Sequence, residues 1–229
     1  MYLNVYLARC GVCSRRKATE LIKDGEIRVN GVAVTTPSYE VQDGDKVLCG
    51  DRPVRKQEFL YIMMNKPAGV VTSCEDEKRR QTVVDFIKLK KGQRVFPVGR
   101  LDKATTGILL LTNDGDWAQK LAHPKHRVRK TYIVKLDNQF EHKHMEKLAK
   151  GMFLSDGKFI PDRVYYPKPG NKWVVGIDIH SGRHRIIRRA FRALGFYVNS
   201  LERTKYGSLT LKGLPKGTWR LIKPESVES

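Results

Sequence analysis

The sequence predicts an α+β protein in two parts: a small module over residues 1–50, a linker over 51–60, and a second domain over 61–229 made of a mixed sheet with flanking helices. Three observations lead there. Two short helical patterns and a hairpin signal fit within the first fifty residues. A polar stretch containing one proline then interrupts the apolar pattern. Beyond it, strand and helix patterns interleave irregularly and no internal repeat is present. The 229 residues suffice for one large domain or two small ones with cores of their own.

In the first module, Leu3, Val5, Leu7 and Ala8 open a short amphipathic segment that Gly11 can close with a left-handed cap. Ser14 is a good N-cap for a helix over 15–23, with Ala18, Leu21 and Ile22 on one face and Gly25 at its end. Ile27, Val29, Val32 and Val34 alternate around Asn30-Gly31, a strong two-residue hairpin signal. Asp43-Gly44-Asp45 turns the chain before Val47-Leu48. Arg9, Arg15, Arg16, Lys17, Lys23 and Arg28 form a basic face.

In the second domain, residues 60–64 read as a buried strand ending in the turn Asn65-Lys66-Pro67-Ala68-Gly69, and 69–72 continue as strand. Residues 82–87 read as a helix. Phe96-Pro97-Val98-Gly99 leads to Gly107-Ile108-Leu109-Leu110-Leu111-Thr112, a fully buried strand, and Asn113-Asp114-Gly115 turns into a helix over 117–121. Residues 131–136 alternate as a strand. A helix over 142–150 closes at Gly151, 173–179 form a strand, and a helix over 186–194 is capped by Gly195.

The formal net charge is +20, from 44 basic and 24 acidic residues. It is unevenly spread: +2 over residues 1–60, +9 over 61–150 and +9 over 151–229. Such an excess across folded segments points to a polyanionic partner, with nucleic acid ahead of an anionic membrane, because no basic amphipathic helix or lipidation signal accompanies it. No apolar run approaches the ~20 residues of a membrane span, and no export signal precedes the first helix, so a cytoplasmic location is expected. Cys10, Cys13, Cys49 and Cys74 are accordingly expected to be reduced, small core residues. Cys10 and Cys13 form a C-x-x-C pair, but a zinc site would normally want a second close pair, and Cys49 and Cys74 lie 25 residues apart, so no metal is expected.

The stretch Val98-Gly99-Arg100-Leu101-Asp102-Lys103-Ala104-Thr105-Thr106-Gly107 is the most informative for chemistry. It sets a carboxylate in a glycine-bounded loop ahead of a buried strand, with Arg100 and Lys103 able to hold that carboxylate ionised. On these grounds alone a structural turn aspartate and a catalytic one are equal readings.

Resemblance separates them. The run from Leu3 to Gly50, with Leu7-Ala8-Arg9, Ser14-Arg15-Arg16, Val29-Asn30-Gly31 and Asp43-Gly44-Asp45, resembles an S4 RNA-binding domain. Gly99-Arg100-Leu101-Asp102, followed by Thr106-Gly107 through Asp114-Gly115, resembles the signature loop of pseudouridine synthases, in the form of the RsuA/RluB type. Further matches follow in order at Asn65-Lys66-Pro67, Lys130-Thr131-Tyr132, Ser181-Gly182-Arg183-His184-Arg185, Arg188-Arg189, Leu201-Glu202-Arg203 and Gly217-Thr218-Trp219-Arg220. The resemblance covers essentially the whole chain. It implies a pseudouridine synthase fold with a mainly antiparallel sheet, and the isomerisation of uridine in ribosomal RNA.

By the same resemblance Asp102 is the essential aspartate, acting at ribose C1′, at base C6, or by abstraction at the sugar. Tyr132 is the tyrosine that stacks on a flipped uracil and assists at C5, and Arg188 is the aspartate's basic partner. A guanidinium there would offset the desolvation of a buried carboxylate, and an unstacked base needs a planar surface. Arg15, Arg16, Lys17, Arg100, Lys103, Lys130, Arg183, Arg185 and Arg189 are the RNA-binding candidates; His184 can contact RNA or simply be solvated. The cluster Arg183, Arg185, Arg188, Arg189 and Arg192 is expected mostly to face phosphates. Detaching, rotating and rejoining uracil transfers no electrons and no external group, so no cofactor is called for. Ile186 departs from the pattern, which commonly has a polar residue there, and removes any hydrogen bond from that position.

Large-subunit ribosomal RNA is the expected substrate, with a monomer as the acting form. The alternatives are small-subunit ribosomal RNA and a non-catalytic RNA-binding or ribosome-assembly factor of the same fold. Nothing obliges a binding-only descendant to keep Asp102, Tyr132 and Arg188 together. A methyltransferase would want a G-x-G-x-x-G loop, which is missing.

Overall fold

A computed structural model describes residues 1–122 and 124–227. The chain divides into two compact units, one of residues 1–60, 88–95 and 113–115, the other of the remainder. In the first unit, α1 (Leu3–Arg9) and α2 (Arg15–Lys23) precede β1 (Ile27–Val29), β2 (Val32–Ala33), β3 (Val47–Cys49) and β4 (Arg52–Pro53). The strands pair in the order β2-β1-β3-β4. Leu3, Leu7, Ala18, Ile22, Ile27 and Val47 meet in one core, so both helices bury their apolar stripes there. The Ser14 hydroxyl accepts from the Lys17 amide at 3.3 Å, which caps α2. Asn30 and Gly31 both take positive φ, as the tight turn between β1 and β2 requires.

The segment 51–60 does not behave wholly as a linker. Gly50, at φ 54°, and Asp51 turn the chain so that Arg52 and Pro53 pair with Cys49 and Leu48, and the Val54 amide donates to the Val47 carbonyl at 2.9 Å. Proline is tolerated because β4 is an edge strand, where its missing N–H breaks no ladder. Cys10 is buried, and Cys13 and Cys49 pack against the same core, but Cys74 is exposed and departs from the expected core role.

The second unit is built on a nine-stranded mixed sheet. Its elements are β5 (Tyr61–Lys66), β6 (Phe96–Val98), β7 (Thr106–Thr112), α3 (Gly115–Ala122), β8 (Lys130–Leu136), α4 (His142–Ala149), β9 (Met152–Leu154), β10 (Gly157–Phe159), β11 (Arg163–Tyr165), β12 (Val174–Ile179), α5 (Ile186–Ala193), β13 (Val198–Tyr206), β14 (Leu209–Thr210) and β15 (Trp219–Leu221). The main path runs β11-β12-β8-β13-β7-β5-β15, with β14 on β13 and β6 on β7; β9 and β10 form a separate hairpin. Pairing is antiparallel except between β13 and β7, where Glu202 and Arg203 run parallel to Thr106 and Gly107. On β7 every residue after Thr106 is buried, as its continuous apolar run predicts.

Two local readings change. Residues 82–87 form one 3₁₀ turn, Val84–Phe86, because β-branched Thr82-Val83-Val84 in so short a segment cannot nucleate an α-helix. Residues 69–72 make a single bridge, Val71 to Thr82, after Gly69 turns at φ 86°. Thr72 is thereby free of any ladder and turns to the catalytic-loop candidate instead. Its hydroxyl donates to the Leu101 carbonyl at 2.7 Å and accepts from the Leu101 amide at 3.3 Å. These two bonds fix the residue before Asp102.

Candidate active site

Asp102 sits in the loop between β6 and β7. Besides Thr72, that loop is held by Lys66 at the end of β5. The Lys66 side chain is fully buried, and its ammonium donates to the carbonyls of Pro67 (2.9 Å), Thr105 (2.9 Å) and Lys103 (3.2 Å). Burial pulls this amine down to about 8, while the Asp102 charge pulls the other way. The Thr105 amide closes the loop by donating to the Asp102 carbonyl at 2.9 Å. The aspartate's backbone is therefore over-determined while its side chain remains about one third exposed.

Two guanidinium groups face that carboxylate. Arg188 Nε lies 3.7 Å and Arg185 Nη1 3.9 Å from the same Asp102 oxygen. Both separations exceed a hydrogen bond, so the two positive charges face the carboxylate without occupying its lone pairs. Arg188 is largely buried and anchored by donation to the Val198 carbonyl at 3.0 Å; burial lowers its pKa and Asp102 opposes that. Arg185 is the residue before α5 and has a left-handed backbone, φ 48° and ψ 31°, an uncommon and costly conformation for a non-glycine residue. The amphipathic helix positions both: Ile186, Ile187, Ala190 and Phe191 are buried, and Arg188 lies on the flank that reaches Asp102.

Asp102, Arg185 and Arg188 border a cleft of about 270 Å³ whose wall also includes Tyr132, Arg203 and Ile186. Tyr132 lies on β8, directly across the ladder from Arg203 on β13. Ile186 thus supplies apolar wall where a polar group was the usual pattern. Lys130, two residues before Tyr132, spans 5.5 Å to the face of Tyr206 and donates to the His180 carbonyl at 3.3 Å. Burial, assisted by the Arg203 charge, lowers this amine to about 8.

The other candidates separate. Arg100 also lines the cleft, and both it and Lys103 are exposed. Arg15, Arg16 and Lys17 are exposed at the start of α2, with Lys17 paired to Glu20 at 3.1 Å. Arg183 and Arg189 have partners inside the chain. Arg189 grips both oxygens of Asp156, at 2.8 and 2.7 Å, and Arg183 reaches the Asp156 carboxylate at 3.3 Å and the carbonyls of Asp156 and Lys158 at 2.8 Å each. These contacts fasten the β9–β10 hairpin to the start of α5. Arg192 lies over the Tyr197 ring at 5.1 Å. The arginine cluster, expected mostly to face phosphates, is therefore in large part engaged inside the chain, through Arg183 and Arg189 on Asp156 and Arg192 on Tyr197. Sequence reasoning missed Lys66 and Arg203 as site residues, although both stand inside the motifs that carried the resemblance.

Residues 60–193 match the RNA pseudouridylate synthase family model, and residues 1–47 match the S4 domain. The chain is 40% identical over 229 residues to the ribosomal large subunit pseudouridine synthase B of Bacillus subtilis (strain 168), covering 99% of this chain and 93% of that one. It is 34% identical over 228 residues to the dual-specificity RNA pseudouridine synthase RluF of Escherichia coli (strain K12), covering 98% and 76%. A crystal structure of a pseudouridylate synthase matches with a TM-score of 0.71 at 29% identity, over 99% of this chain and 98% of that one. With a carboxylate held between guanidinium groups, a tyrosine in the same cleft and full-length similarity to such enzymes, the chain belongs to the RNA pseudouridylate synthase family and carries an S4 domain at its N-terminus.

Proposed function

We propose that this protein isomerises uridine to pseudouridine at a defined site in large-subunit ribosomal RNA, acting as a cytoplasmic monomer. The observation that carries the reading is Asp102, poised between Arg185 and Arg188 in a cleft that also holds Tyr132. Similarity along nearly the whole chain to a large-subunit enzyme supports the choice of RNA.

The reaction breaks the N1–C1′ bond of uridine and makes a C5–C1′ bond; one proton leaves C5 and one is taken up at N1, so nothing is oxidised or transferred. Asp102 is the group that acts directly on the target nucleotide. The two guanidinium groups keep positive charge beside that carboxylate when a bound nucleotide displaces water from it. The Tyr132 ring stacks on the extruded base, and the cleft accepts that base only after it leaves the helix stack. Arg100, Lys103 and Lys130 meet the surrounding backbone, and Arg15, Arg16 and Lys17 let the S4 domain bind RNA phosphates independently of the chemistry.

The test uses purified protein with separate large- and small-subunit ribosomal RNA transcripts, and maps pseudouridine by carbodiimide modification and primer extension. A single new stop on the large-subunit transcript is expected. A stop only on the small-subunit transcript would reassign the substrate. Binding with no conversion of either RNA or of assembly particles would leave a binding factor.

A further inference from the structure

Arg203 is a charged side chain that the sheet buries almost completely, at 3% exposure, and among the described residues no carboxylate pairs with it. Nε donates to the Ile108 carbonyl on β7 at 2.7 Å, and Nη1 donates to the Tyr132 hydroxyl on β8 at 3.3 Å. The guanidinium carbon lies 5.1 Å from the Tyr206 ring centre and 5.9 Å from that of Tyr132. Nη2 is buried without a partner. Stability alone would not select this arrangement, since an apolar side chain would avoid both the buried charge and the orphaned donor.

The geometry points to a positioning role: Arg203 sets the orientation of Tyr132 and obliges its hydroxyl to present its proton to the cleft. A guanidinium can only donate, so the Tyr132 oxygen must accept. That fixes one lone pair and turns the phenol O–H away from Arg203. Among the described residues the hydroxyl has no acceptor of its own, so its proton is available to a nucleotide in the cleft. The Ile108 bond holds the guanidinium in place. A tyrosine retained only for stacking would need neither constraint.

This role rests on the uridine-isomerase reading and is tested within it, by single-turnover tritium release from RNA labelled at uridine C5. The proteins compared are the wild type, Tyr132→Phe, Arg203→Met, Arg203→Lys, and each Arg203 substitution combined with Tyr132→Phe. Arg203→Met should slow release about ten- to hundredfold, the scale of one lost charge-assisted hydrogen bond, with RNA affinity changed by less than about twofold. Arg203→Lys, which keeps the charge but reaches fewer acceptors, should be slowed less. On the Tyr132→Phe background both effects should vanish, because the hydroxyl through which Arg203 acts is already gone. Equal slowing on both backgrounds, or a loss of RNA affinity large enough to explain it, would show a merely structural arginine. If Arg203→Met fails to fold, the Lys pair makes the same comparison. Absence of tritium release from wild-type protein with every RNA tried would remove the isomerase reading itself and this role with it, an outcome distinct from an additive cycle.

Discussion

Gly107 and Arg203 lie side by side at the parallel step of the sheet, so close that a Cβ on Gly107 would stand 2.2 Å from the Arg203 carbonyl oxygen and 2.7 Å from its amide nitrogen. Gly107 also has φ 104°, outside the range of ordinary residues. This close approach lets β7, which follows the Asp102 loop, run against β13, which carries Arg203. Gly107→Ala should therefore destabilise the protein by about 3 kcal/mol or more, through both the clash and the backbone strain. An unfolding free energy within about 0.5 kcal/mol of wild type in urea would refute this account of the parallel step.

Arg185 offers a separation of stability from chemistry. Its left-handed backbone suits glycine, while its side chain is half exposed and faces Asp102. Arg185→Gly should be more stable than Arg185→Ala by about 1 kcal/mol. Both should lose activity, by roughly tenfold, since a guanidinium near the carboxylate is gone. Equal melting temperatures for the two variants would contradict the strain assignment.

Lys130 predicts a pH effect with a definite sign. Its amine is lowered to about 8, so it carries charge below that pH and loses it above. RNA turnover should fall as pH rises from 7 to 9, as the cleft gives up a positive charge. Lys130→Arg keeps its charge throughout and should flatten that fall. An unchanged alkaline limb in the Arg variant would assign the titration to another group, with Lys66, also lowered to about 8, the next to examine.

Replacing Arg15 and Arg16 together with glutamine should leave folding intact, because both are exposed on α2. RNA affinity should weaken, and its salt dependence should flatten by about 0.7 to 1 for each phosphate no longer neutralised. Binding isotherms measured at several salt concentrations decide it; identical slopes would mean that this helix does not meet RNA.

Asp102, Tyr132 and Arg188 were legible in the sequence because each stands in a short stretch whose order along the chain is distinctive, and the buried strand β7 announced itself by its apolar run. Arg203 and Lys66 were not, and for a common reason: hydropathy places charged side chains outside, and nothing local reveals that carbonyls will enclose them. The segment 198–206 hid as a strand because Glu202, Arg203 and Lys205 break its apolar pattern. An irregularity between Arg203 and Lys205 also shifts the alternation, so that Tyr206 is buried out of step with Leu201 and Arg203. The edge strand at 52–53 hid behind its proline and its polar neighbours. Arg183 and Arg189 were readable as basic but not as partners of Asp156, because ion pairs between residues some thirty positions apart depend on the folded path.

The central claim is that Asp102 itself acts on the nucleotide, and the most direct test is tritium release to water from RNA labelled at uridine C5, catalysed by Asp102→Asn. Asparagine keeps the shape of the side chain, and the loop is held through Thr72, Lys66 and backbone bonds, so the variant should fold and bind RNA normally. Its neutral amide is a poor nucleophile and base, and the rate should drop by many orders of magnitude, beyond the ~10²–10⁴ of a supporting acid or base. Release at the wild-type rate would contradict the account.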